Sequence, residues 1–443
     1  MIQTIAIVGG GISGTLTVLQ LIKQCKTALT IFWFDYQNVF CKGYAYHTFD
    51  ENHLLNVRAN NMSVFADDPQ HFINWLTNKY AHYSSTDFVP RKIYGEYVHD
   101  TFENLRHSNP FISIFQIAEE VKSIHQTNEG YTLTSNQTFQ AQKIVLAFGN
   151  FLPAHPFSIT KDFITSKHYF QNAFNVHLMQ HLALCHNITI IGSGLTMIDL
   201  VISLAHYDFK GKVQVISPHA YIPEAHQENP LPSISPFIER ERIYGLTELL
   251  SIVNKELKQA KKHHLNTHSV VDVMRPYLQD IWFNFSIDDK KQFLRHLRHK
   301  WGVARHRAPS QSMAIFKELQ SSGQLFLIKG RIQDIKFDKL GFEISYLAPE
   351  NQQKRLKTDL IVNCTGPESD YTKLKSPLIQ QLVGDKLISA DSLNYGLNAS
   401  REGCLAKNLY TLGPPLKGVL WESVAVPEIR VQAANLANKI ICD

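Results

Sequence analysis

"IAIVGGGISGTLTVLQLIK", residues 5–23, decides the fold. Ile2, Ile5, Ile7 and Val8 make a short β-branched run, which reads as a buried parallel strand. Gly9, Gly11 and Gly14 follow at G-x-G-x-x-G spacing, and Leu16, Leu19 and Ile22 then recur at helical spacing beside Val18. The order strand, glycine turn, helix is the one a dinucleotide-binding fold requires. Gly9 allows the tight turn, Gly11 lets the backbone approach a pyrophosphate, and Gly14 lets helix pack on strand. Ile12 and Ser13 open the helix, whose free N–H groups and positive dipole end suit phosphate. The next strand, "LTIFWFD", ends in Asp35, where this fingerprint places an acid for a ribose hydroxyl.

Working outward, "ITIIGSGLTMIDLV", residues 188–201, repeats the design. Gly192 and Gly194 keep the first two glycines, while Met197 takes the third position. The following strand, "KVQVIS", ends at Ser217, Pro218 and His219 with no carboxylate. An acid there would repel a 2′-phosphate, so its absence leans toward NADP over NAD. Ser193, Thr196 and His219 become candidates for a nicotinamide cofactor.

Two such turns in 443 residues predict an α/β chain with two Rossmann-like dinucleotide-binding domains. Hydrophobic residues are 44% and charged residues 19%, ordinary for a globular protein, and the net charge of +5 is too small for a nucleic-acid binder. No apolar run reaches the length of a membrane span, and no basic leader precedes the first strand. Cys25, Cys41, Cys185, Cys364, Cys404 and Cys442 form no CxxC pair. That argues for a reducing, cytoplasmic setting, against a zinc site, and against a disulfide-reductase flavoenzyme. The histidines are scattered, and those grouped in "HLRHKWGVARHRA" have no carboxylate or cysteine among them, so no metal is expected.

The expected organisation is a first domain over 1–175, a second over 176–330, and a return to the first over 331–443. An antiparallel meander is expected within 111–150, with a turn at Asn128-Glu129-Gly130. "LTELLSIVNKELKQAKKHH", "SVVDVMRPYLQDIWFNF" and "DDKKQFLRHLRHKW" read as helices of an insertion at about 225–315. A last amphipathic helix runs from about Val426 to Ile441.

The chemistry that uses two dinucleotides is hydride transfer from NAD(P)H to a flavin. "KIVLAFGN" (143–150) and "DLIVNCTGP" (359–367) resemble the crossover segments of two-dinucleotide flavoproteins, and "NLYTLGPPLKG" (408–418) the segment that closes over the FAD ribityl chain. With "GYAYHT", "HLLNVRANNMS", "FVPRKIYGEYV", "LRHKWGVARHRAP" and "LWESVAVPEIRVQA", the chain resembles the FAD/NAD(P)-binding proteins of the YdhS type. These are distant relatives of the N-hydroxylating and Baeyer–Villiger flavin monooxygenases. The resemblance implies FAD on the first turn, NADPH on the second, and a small nucleophilic, amine-type substrate. Two alternatives stay open: a flavin oxidoreductase without a stable oxygenated flavin, and a non-catalytic FAD-binding sensor or scaffold.

The chain departs from the monooxygenase pattern in two places. "FITSKHYFQNAF" (163–174) has His168 but no glycine, and Pro218 stands where an arginine is usual. By resemblance, Asn56, Gly413 and Trp421-Glu422 lie beside the flavin, and Gly149 and Gly366 permit close backbone approach to a ligand. Asn56 reads equally as a turn asparagine and Trp421 as core packing. Arg305, His306 and Arg307 are candidates for an anionic substrate or the NADP phosphate, with His219, or else a structural cluster. No general base stands out.

Overall fold

The computed structural model describes residues 2–157, 163–164, 166–227, 234–265, 267–338 and 341–442. Two parallel sheets organise it. The first has strand order Cys404–Ala406, Leu409–Thr411, Lys143–Leu146, Gln3–Val8, Leu29–Phe34 and Ile112–Ile117, with only its terminal Cys404–Ala406 strand antiparallel. The second has the order Leu325–Lys329, Lys212–Ser217, Asn187–Ile191, Leu360–Asn363 and Tyr169–Phe170, all parallel.

The opening stretch forms the centre of the first sheet. Ile5, Ala6 and Ile7 are fully buried because helices cover one face and an antiparallel meander with the helix Pro377–Gly384 covers the other. The helix Ile12–Gln24 is buried at every residue from Ser13 to Ile22. It lies under the final helix, Val426–Cys442, and Leu16, Leu19, Ile429, Ala433 and Leu436 share one core. The second turn is built alike: the helix Leu195–His206 packs Ile198 and Val201 against Met313 and Phe316 of the helix Ser310–Ser321.

The meander appears as Ser123–Thr127, Gly130–Thr134 and Thr138–Ala141. The helices of the insertion follow the expected segments: Leu246–Lys262, Thr267–Met274, Leu278–Asn284, Ile287–His296 and Arg298–Arg305. Leu249, Met274, Ile281, Trp282 and Phe285 give them a core of their own. Ala225 and Ala308 pair as a β-bridge that closes the base, so the helix Ser310–Ser321 belongs to the sheet layers and not to the insertion.

The boundaries need correction. Tyr169–Phe170 and Leu360–Asn363 pair within the second sheet, and the antiparallel strands Arg331–Asp338, Gly341–Leu347 and Gln353–Thr358 cover it. Phe163, Tyr169, Ile216, Phe342 and Ile344 form their common core. The second unit therefore begins before residue 175, and the chain returns to the first sheet after residue 363, not at 331.

Candidate functional site

A cleft of about 500 Å³ lies between the two units. The first unit lines it with residues 9–13, Asp35, Lys42, Tyr46, Arg91 and the crossover residues 147–153. The second unit adds Leu195, Thr196, Asp199, Asn363, Cys364 and Gly366. The first glycine turn and the start of the helix after the second thus share one space, since each lies at the carboxyl end of its sheet.

At the first turn, Gly9 has φ +124°, and a Cβ there would lie 2.1 Å from the Ala147 carbonyl oxygen. No other residue fits between the two adjacent strands. Gly10 is held in the same way by Asp35, whose carboxylate oxygen would lie 2.5 Å from an added Cβ. Asp35 is held in turn: Oδ1 accepts the Gln37 N–H at 3.1 Å and Oδ2 the Val39 N–H at 3.3 Å. Burial raises its pKa, and those two amides pull it down. Each oxygen keeps acceptor capacity for a ribose hydroxyl.

The helix Ile12–Gln24 has no side-chain cap, so its first N–H groups face the cleft end. Ser13 Oγ is buried without a hydrogen-bond partner and belongs to the cleft lining. A phosphate oxygen would satisfy both. These groups fit the diphosphate and ribose of a dinucleotide.

The two units meet through buried polar groups. Arg91 Nη2 lies 2.9 Å from Asp199 Oδ2, and Arg91 Nε donates to the Leu54 carbonyl at 3.0 Å. His53 Nε2 lies 2.8 Å from Ser203 Oγ, and the Ser203 hydroxyl donates to Asp50 Oδ2 at 2.7 Å. His53 Nδ1 meets the Thr48 hydroxyl. Burial pushes Asp199 up, against the Arg91 charge, and pushes His53 down. Tyr46, partly buried beside Arg91, is pushed up to about 12 by the same loss of water.

Of the residues singled out in the sequence, Gly9, Gly11, Ile12, Ser13, Asp35, Gly149, Thr196 and Gly366 line the cleft. Gly14 lies beneath it, packed on the Gly9 carbonyl. Gly413 is one layer away: a Cβ there would lie 2.7 Å from Ser13 Oγ, and its neighbour Pro414 lines the space. Gly192 packs against the Cys364 carbonyl, while Gly194 has open space around it.

Others lie outside the lining. Trp421 packs with Trp282, Phe293 and Tyr395 under the insertion, which is the core role. The Asn56 carbonyl accepts from His226 Nε2 at 3.0 Å, tying a loop of the first unit to the second. His168 is exposed at the far strand. Arg307 is bidentate on Asp272 at 3.0 and 2.8 Å, and Arg305 faces Glu422 at 3.5 Å and Glu428 at 3.8 Å. His306, between them in the chain, is exposed, although the groups packed around its ring take away enough water to disfavour its charged form. The two arginines face inward, because the insertion packs its last helix on the segment that follows Trp421.

Tyr46, Arg91, Asp199 and residues 171–174 are site residues that the sequence reading passed over. Asp199 sits in the quoted second turn, two residues beyond Met197, and was legible as an acid in an apolar helix. Residues 171–174 close the quoted stretch in which only His168 was singled out. Arg91 carries no local signal.

Among the described residues no group of three or more His, Cys, Asp or Glu is placed to hold a metal, and no helix is long and apolar enough to cross a membrane.

Residues 6–151 match the family described as FAD-NAD(P)-binding. No curated protein matches the chain. Among solved structures, the chain is similar to an ornithine N-hydroxylase of Kutzneria sp. 744, with a TM-score of 0.68, 13% identity and 99% of each chain covered. It is also similar to the ornithine hydroxylase of Pseudomonas aeruginosa, with a TM-score of 0.69, 14% identity, and 100% of this chain and 99% of that one covered. The cadaverine monooxygenase of Erwinia amylovora follows at 0.68 and 14%, over 99% of this chain and 94% of that one. With two parallel-sheet units facing one cleft, the chain has the fold of the flavoproteins that carry two dinucleotide-binding domains.

Proposed function

We propose that this protein is an FAD- and NADPH-dependent oxidoreductase of the flavin monooxygenase kind, acting on a small amine-type nucleophile. One observation carries the reading: the first glycine turn, the start of the helix that follows the second, and both crossover segments line a single cleft, as electron transfer between two dinucleotides needs. The three similar structures named above are an ornithine N-hydroxylase, an ornithine hydroxylase and a cadaverine monooxygenase, which supports the substrate class. The finer placement within the YdhS type rests on the quoted motifs.

Bound in this cleft, FAD would supply the hydride-accepting and oxygen-reducing chemistry. The protein's own part is binding, orientation and exclusion of water. Residues 9–13 hold the FAD phosphates and Asp35 a ribose hydroxyl. Leu195 and Thr196 receive the second dinucleotide. Arg91 and Asp199, locked to one another, fix the distance between the two. Disulfide chemistry fits poorly. The Cys364 thiol at the cleft wall is pushed above its ordinary range by burial, and all six cysteines are free.

The test is a visible spectrum of the purified protein, titrated with NADPH without oxygen and then exposed to air. The reading expects a flavin spectrum that bleaches with NADPH. Aerobic turnover of an amine panel should then release hydroxylated product. Reoxidation without product from any amine would favour the oxidoreductase alternative. Flavin that NADPH never bleaches would leave only the first site.

A further inference from the structure

In a Rossmann unit, the residues at the end of the second strand choose between a ribose hydroxyl and a 2′-phosphate. Here that strand is Lys212–Ser217, and its end carries neither device. Ser217 Oγ lies 2.9 Å from Ser193 Oγ of the glycine turn and accepts the Ala220 N–H at 3.0 Å. Pro218 follows. There is no carboxylate to hold a hydroxyl pair and no arginine to hold a phosphate. Arg305 and Arg307, the cations offered by the sequence, are turned toward Glu422, Glu428 and Asp272.

Another part of the chain reaches this place. The His219 ring stacks on Tyr221, 5.3 Å apart with 19° between planes, and the Tyr221 carbonyl accepts from the Ser193 hydroxyl. His219 also meets His299, with ring centroids 4.8 Å apart. His299 opens the helix Arg298–Arg305 of the insertion. The insertion therefore starts its last helix against the end of the selectivity strand.

Arg298 stands beside it with spare donors. Its Nη2 donates to His299 Nε2 at 3.3 Å and its Nη1 to the Tyr395 hydroxyl at 3.4 Å, both long. Its Nε is buried without a partner, and no carboxylate pairs with it among the described residues. A guanidinium is a planar fork suited to phosphate, and this one is left under-satisfied. His299 is held down to about 4, first by loss of water contact and then by Arg298 and His219. Such crowding of cationic and protonatable groups is what an anion relieves.

We infer that Arg298, with His219 and His299, forms the 2′-phosphate subsite, so that the helical insertion and not the strand end selects NADP over NAD. The inference rests on the reading that the second glycine turn binds the nicotinamide dinucleotide. It assigns the basic stretch at 295–307 a division of labour: its second arginine-histidine pair, Arg298-His299, reads the cofactor, and its last arginines anchor the insertion.

The test is calorimetric titration of the flavin-loaded protein with 2′,5′-ADP and with 5′-AMP, which requires no turnover. The parent should bind 2′,5′-ADP at least about 10-fold more tightly than 5′-AMP, the size of one good charge-assisted contact. Arg298→Met should lose that preference and keep its affinity for 5′-AMP. Arg298→Lys keeps the charge without the fork and should fall between. His299→Gln should lose part of the preference, and Arg295→Met, on the exposed helix before it, should lose none. Unchanged preference in Arg298→Met overturns the inference alone. Equal loss of both nucleotides in Arg298→Met and Arg298→Lys also overturns it, because that marks a structural role. A parent that binds neither nucleotide overturns the inference together with the reading of the second turn.

Discussion

Arg91 and Asp199 form a 2.9 Å ion pair that joins the two nucleotide units at the wall of their shared cleft. Their side chains are 14% and 8% exposed, so both charges depend on one another. Asp199→Asn would leave the Arg91 charge uncompensated inside the protein and should destabilise it by about 3–5 kcal/mol. The double substitution Arg91→Met with Asp199→Leu should cost less than either single change, since no lone charge remains. Urea unfolding of the four proteins measures both.

The His53 contacts have a fixed proton order. The Asp199 carbonyl, 3.1 Å from Nε2, can only accept, so Nε2 carries the hydrogen. Nδ1 is then bare and accepts from Thr48. Burial pushes the folded-state pKa below that of the unfolded chain, near 6.5, against the pull of Asp199 and Asp50 and with the push of Arg91. As pH falls, the unfolded chain takes the proton first. The contribution is therefore complete above about pH 6.5 and is lost as pH drops toward the folded value. His53→Gln should be less stable at neutral pH and show a flatter stability profile between about pH 7.5 and 5. Thermal melts across that range test it.

The two glycine turns differ in tolerance. A Cβ on Gly14 would lie 2.0 Å from the Gly9 carbonyl oxygen, whereas one on Gly194 meets nothing within 4 Å. Gly14→Ala should unfold the first unit or abolish flavin retention. Gly194→Ala should keep the fold within about 1 kcal/mol, as a change at a helix N-cap does. Melting temperature and bound-flavin absorbance separate the two outcomes.

Asp272 anchors the insertion through Arg307, which is 6% exposed. Asp272→Asn leaves that guanidinium with the Ala304 and His268 carbonyls only. The insertion should open at about 3 kcal/mol less free energy than in the parent. Hydrogen exchange of residues 246–305 should speed up while the strand Gln3–Val8 stays protected.

Local signals carried the fold class. The β-branched run before Gly9, the helical spacing after it and the repeat at residues 188–201 each act within about 20 residues, and all became the expected elements. The same holds for the meander, the helices of the insertion and the last helix. The domain bound at 331 placed residues 359–367 in the first unit, whereas the strand Leu360–Asn363 pairs within the second sheet. "LIVN" is an apolar strand that would pair equally well in either sheet, and only its neighbour Asn187–Ile191 decides.

The sequence by itself determined the first turn of the site, because glycine spacing and Asp35 state backbone demands that no packing partner alters. The tertiary structure alone decided which side chains complete the cleft. Arg91 meets Asp199 from 108 residues away, and Trp421 is drawn under the insertion by Trp282 at 4.8 Å. The direction of a long side chain is set by what it touches. For Arg305 and Arg307 those contacts are carboxylates remote in sequence, and charge composition names the side chains but not their partners.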